Sequence, residues 1–201
     1  MFRQCLLAVT LAASALGALA TPLNYHITTD TRAQALPASG LLDLSFGALV
    51  GAAPATATAS VRNFSANIGA AAWSEGAVVD HANGSFAIRN DTSTAINYLD
   101  LAATFGGVID FDVTFDDGFP GSGGLNSTFA VSLLNDSFMY LGNPSGDLTF
   151  ELVPGTGITV NPDSSFATAS AVPEPSDLLM MATGLGLVGF MLRRRKAVPA
   201  R

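Results

Sequence analysis

Four aspartates, Asp110, Asp112, Asp116 and Asp117, form the densest group of side chains able to do chemistry. In an extended strand Asp110 and Asp112 share a face, about 7 Å apart, with the Asp116-Asp117-Gly118 turn just beyond. Calcium takes six to eight oxygens, so the four are the candidate calcium set. The spacing is not that of an EF-hand loop, and solvated carboxylates on the wet face of a strand account for it better. Glycoside hydrolysis would need two carboxyl groups about 5–10 Å apart in an aromatic cleft. The only glutamates before residue 174 are Glu75 and Glu151, and the larger polar-tipped aromatics are Trp73, Tyr25, Tyr98 and Tyr140. The histidines, His26 and His81, have no G-x-S-x-G nucleophile elbow to serve. Gly121-Ser122-Gly123-Gly124 lacks the lysine of a phosphate loop. The expectation is a chain that is not an enzyme and needs no cofactor, calcium being the one candidate.

The elements that would carry these residues alternate with period two. Leu42, Leu44 and Phe46 interleave with Asp43 and Ser45, and Ile109, Phe111, Val113 and Phe115 with Asp110, Asp112 and Thr114. Phe129, Val131 and Leu133, then Leu148, Phe150 and Leu152, repeat the pattern. Each reads as a half-buried strand. Further strand candidates are 25–29, 57–64, 77–80, 86–89, 138–141 and 157–160, separated by Asn-Gly, Asp-Gly and Pro-Gly turns. A short helix is expected near 93–103, and 52–59 (AAPATATA) reads as a loop or edge strand. Together these predict an all-β body over 21–166, an antiparallel β-sandwich of jelly-roll type, with 167–172 as a small, polar linker.

Composition narrows the partners. Hydrophobic residues make up 49% of the chain and charged residues 12%, which excludes a disordered acidic chain. Within 21–177, Arg32, Arg62 and Arg89 face all 16 acidic residues, so the body repels phosphate backbones and nucleic acid is not expected as a partner. The single cysteine, Cys5, excludes a disulfide scaffold.

Both ends read as addresses. Arg3, the apolar run 6–16 and the small residues Ala18 and Ala20 form a secretory signal peptide over 1–20, with signal peptidase cutting after Ala20. At the other end Pro173-Glu174-Pro175 precedes an uncharged apolar segment, 178–192, and the basic cluster Arg193, Arg194, Arg195 and Lys196. As a helix the segment spans about 22 Å, short of the ~30 Å hydrocarbon core, and arginine snorkelling with local thinning would close the difference. The cations place the C-terminus in the cytoplasm, so the body lies outside the inner membrane.

This tripartite tail, 173–201, resembles the PEP-CTERM sorting signal of Gram-negative bacteria. The resemblance rests on Pro173, Glu174 and Pro175, the helix 178–192 and the cluster 193–196. It implies an exosortase as processing partner, an inner-membrane-anchored precursor with its body in the periplasm, and delivery to the cell surface or extracellular matrix. Proteins of this kind occur with exopolysaccharide and biofilm formation. The segments YHITTDT, LLDLSFG, FDVTF and FAVSLL also resemble small exported PEP-CTERM proteins of unassigned activity. The expected role is structural or adhesive. The rivals are a carbohydrate-binding module, which requires Trp73, Tyr98 and Tyr140 to converge, and an ice-binding one, since this tail also occurs as an ice-binding protein C-terminal domain. Ice binding requires a regular Thr-x-Thr face, of which Thr56-Ala57-Thr58 is too short a sample.

Overall fold

The computed structural model describes residues 24–32, 35–48, 56–94, 96–116, 125–162, 166–173 and 183–188. In chain order the strands are β1 (Asn24–Asp30), β2 (Ser39–Ala48), β3 (Thr58–Arg62), β4 (Ile68–Glu75), β5 (Val78–Asp80), β6 (Phe86–Arg89), β7 (Ile96–Thr104), β8 (Val108–Phe115), β9 (Ser127–Leu134), β10 (Leu148–Val153), β11 (Gly157–Pro162) and β12 (Ala167–Ala171). They form two antiparallel sheets, β12-β1-β8-β3-β6-β5 (sheet A) and β11-β10-β9-β2-β7-β4 (sheet B). Most connections carry the chain from one sheet to the other.

Alternation sets which face is buried. In β8, Ile109, Phe111, Val113 and Phe115 are buried while Asp110, Asp112 and Thr114 stay partly wet. In the pairing with β1, Phe111 lies opposite Ile27, so neighbouring strands put their apolar faces on the same side. Sheet B does likewise: Leu42 pairs with Leu101 and Leu133, Leu44 with Leu99 and Val131, and Phe46 with Asn97 and Phe129. The eight residues expected to face inward most firmly, Phe46, Phe111, Val113, Phe115, Phe129, Val131, Phe150 and Leu152, are all buried. Both sheets feed one core, whose centre is an edge-to-face cluster of Tyr25, Phe46, Phe115, Phe129 and Phe150.

Asn97 is a polar residue on the core face. The Asn97 amide donates to the Phe46 and Asp91 carbonyls and accepts from Ala77 N–H and the Thr94 hydroxyl, so burial leaves no part of it unsatisfied.

The structure corrects three expectations and adds one strand. Residues 96–104 form strand β7, not a helix near 93–103; Asn97, Leu99, Leu101 and Ala103 are the buried set, at period two. The alanines and the NYLDLAA run suggested a helix, but pairing with β2 and β4 on both sides overrides that propensity. Residues 167–171 are not a linker. They form β12, paired along β1 from Ala167–Thr29 to Ala171–Tyr25, with Ala167 fully buried. Small side chains let that strand close the edge of sheet A. Strand β4 was not foreseen, because IGAAAWSE offers no apolar alternation. Residues 138–141 form a turn with one isolated bridge, Tyr140 to Leu134, in place of a strand.

Candidate functional site

The outer face of sheet A holds two of the four candidate calcium ligands. Asp110 and Asp112 do share a face, but their oxygens are engaged by neighbours. Asp112 accepts from the Asn63 amide at 2.7 Å and lies 2.8 Å from His26 Nδ1. Asp110 accepts from the Thr28 hydroxyl at 2.9 Å, with His26 Nε2 3.8 Å away. Burial alone would raise the Asp112 carboxyl; the Asn63 and His26 contacts outweigh it and hold it below its ordinary range. Asp116 does not join them: its carboxylate accepts from Thr58 N–H at the strand end. Asp117 lies outside the described residues. Among the described residues no group of three or more such side chains is placed to hold a metal ion. His81 stands apart in the 81–85 turn, its N–H bonded to the Ser85 carbonyl.

The outer face of sheet B presents a different arrangement. Asp43 of β2 and Asp100 of β7 are directly opposed, with Ser132 on the far side of Asp43 and Trp73 beside Asp100. These positions point away from the core, yet Asp43 is only 7% exposed and Asp100 3%. Opposed residues on neighbouring strands have Cβ atoms about 4.5–5.5 Å apart, too close for two buried charges. Burial side by side therefore favours the protonated form of the pair. Burial, then the Asp100 charge, pushes Asp43 up to about 8; burial also raises Asp100. Asp100 Oδ1 is buried with no hydrogen-bond partner among the described residues.

Aromatic side chains stand around this pair. Trp73 reaches the outer face through a backbone irregularity. Ala71 pairs with Leu101, and regular pairing would then set Trp73 opposite Leu99, on the core face; a register shift sets it opposite Asp100 instead. Tyr98, two residues before Asp100 in β7, donates its hydroxyl to Glu75 at 3.1 Å. On the other flank Tyr140 bridges to Leu134, an outer-face residue, and its hydroxyl lies within the field of both carboxylates; burial and those charges raise it. Asp43 and Asp100 were not singled out from the sequence. The available signal was an aspartate between two core leucines in each of two strands, but only the register shows that they meet.

Residues 171–196 match the family model of the PEP-CTERM protein-sorting motif. The chain carries a PEP-CTERM sorting signal. It is therefore exported and processed by an exosortase. No curated protein and no solved structure matches the chain. The PEP-CTERM match begins at Ala171, the last residue of β12, so body and signal adjoin without a spacer. Val172 N–H still bonds to the Asn24 carbonyl at 2.8 Å, and Pro173 lines a shallow cleft with Asn24, Tyr25, Arg62 and Asp112. Glu174, Pro175 and the basic cluster 193–196 lie outside the described residues, as do Ala18 and Ala20 of the signal peptide. Within the apolar segment, 183–188 are helical; among the described residues no helix is long and apolar enough to cross a membrane.

Proposed function

We propose that this chain is a non-catalytic cell-surface or matrix protein, a jelly-roll-like β-sandwich delivered by its PEP-CTERM signal. The precursor loses residues 1–20, is held at the inner membrane by 178–192 with Arg193–Lys196 in the cytoplasm, and is cut by the exosortase near Pro173–Pro175. The body then serves a structural or adhesive role among exopolysaccharides, with no cofactor. The sorting-motif match carries the reading. The strand that leads into the motif supports a narrow processing window. Because the chain is hydrogen-bonded to β1 through Val172, a protease acting in trans finds an unpaired backbone only from Pro173 onward.

Mass spectrometry of the form recovered from the native surface is expected to give a start at Thr21 and an end at or beyond Pro173, without 178–201. An intact tail on surface-delivered protein overturns exosortase release. Replacing Arg193, Arg194, Arg195 and Lys196 together by serine is expected to let unprocessed precursor escape into the periplasm, since each cation contributes about 1 kcal/mol of headgroup attraction. Normal membrane retention and sorting of that variant, followed by fractionation, overturns the stop-signal role.

A second reading, carbohydrate binding, is favoured by the placement of Trp73, Tyr98 and Tyr140 along one face of sheet B. The ice-binding rival has less support: the outer face of sheet A interleaves its threonines with His26, Asp110, Asp112 and Arg62.

A further inference from the structure

The Asp43–Asp100 pair and its aromatic flanks have features that a structural sheet face does not need. Trp73 is 58% exposed and Tyr140 46%, so much of each ring surface faces solvent. Their orientations are built. Trp73 is turned outward by the register shift in β4, on the face where Tyr98 bonds to Glu75. Tyr140 belongs to a loop stiffened at both ends. At one end the Asn135 side chain accepts from Ser137 N–H and Met139 N–H, and Phe138 is held at φ +59°, a left-handed conformation costly for a bulky residue. At the other, buried Asp147 accepts from Leu133 N–H and Asn143 N–H, and a side chain at Gly142 would collide with its carboxylate. Strain and packing of this kind concentrate where a surface must be preorganised.

We propose that the outer face of sheet B is a binding site for an uncharged polysaccharide chain, with Trp73 and Tyr140 as stacking platforms and the Asp43–Asp100 pair as its polar centre. This rests on the reading of the body as a non-catalytic module at the cell surface. A pyranose ring has an apolar C–H face that packs on an indole or phenol ring and an equatorial belt of hydroxyls that donates to carboxylate oxygens. The Asp43–Asp100 pair, almost wholly buried, lies in the floor between the two platforms. Ser132 and Ser45 extend the polar row beside it. Four strand spacings separate Trp73 from the segment carrying Tyr140, roughly 19 Å, so the ligand is an extended chain and not a single sugar. Fourteen acidic residues against three arginines in the body select against polyanionic glycans.

The test uses the full chain in mild detergent, on an array of neutral glucan, mannan and galactan oligomers beside a polyuronate. At least one neutral glycan is expected to be retained, more tightly as its length rises from one sugar to six. Trp73→Ala and Tyr140→Ala are each expected to weaken retention at least tenfold, Trp73→Phe by less, and Val79→Ala, exposed on sheet A, not at all. Circular dichroism matching the parent shows that each variant has folded. Retention of no neutral glycan, preference for the polyuronate, or undiminished binding by folded Trp73→Ala overturns the site while leaving surface delivery intact. Release of new reducing ends from a retained glycan supports the site and overturns the non-catalytic reading.

Discussion

Replacing Phe115 by alanine is expected to cost the body about 3–5 kcal/mol. The ring sits in sheet A and packs against rings of sheet B, with centroids 5.3 Å from Phe150, 5.5 Å from Phe129 and 6.3 Å from Phe46; Tyr25 of β1 is 6.2 Å away. Truncation therefore opens a cavity at the seam between the sheets, where four further aromatic rings cannot all close in without breaking their own pairings. That loss is a large part of the 5–15 kcal/mol that holds an ordinary domain together. Urea unfolding is the measurement: the midpoint falls while the slope is unchanged. A loss below about 1 kcal/mol would show that the ring does not bridge the two sheets.

The second large effect is a dependence of stability on pH, carried by the acid pair. The Asp43 carboxyl titrates near 8 in the folded body and near 3.8 when unfolded. Between those values the folded state holds a proton that the unfolded state has released. Stability is therefore full below about pH 4, falls as pH rises toward 8, and levels off above it, by at most about 1.4 kcal/mol per pH unit. Asp43→Asn supplies a neutral donor to Asp100 at every pH. The variant is expected to flatten the profile and to be more stable than the parent at pH 8, by on the order of 1–4 kcal/mol. Urea midpoints across pH 4–9 decide the matter, and parallel profiles for parent and variant would remove Asp43 as the titrating group.

Much of the fold follows from local pattern because strand burial repeats every second residue. Phe111, Val113 and Phe115 had to share a face whatever strand came to lie beside them, and Asp110 and Asp112 had to share the other. The PEP tripeptide, apolar segment and basic cluster are likewise contiguous, so the sorting signal is legible without any fold. Propensity misled where neighbours outweigh it. Residues 96–104 look helical until strands on both sides claim their hydrogen bonds, and 167–171 look like a linker until the edge of β1 takes them up. Strand β4 has no alternation to announce it, since its residues lie on an exposed edge.

By itself the sequence determined a two-faced β body, most of its core and its route out of the cell. Those depend on spacings within single segments. The tertiary structure alone decided that Asp43 and Asp100, 57 positions apart, are buried face to face, and that Trp73 and Tyr140 flank them. Register between strands and a bulge in one of them settle those neighbours. Both are set by pairing across the sheet, and a shift of one residue would have turned Trp73 into the core.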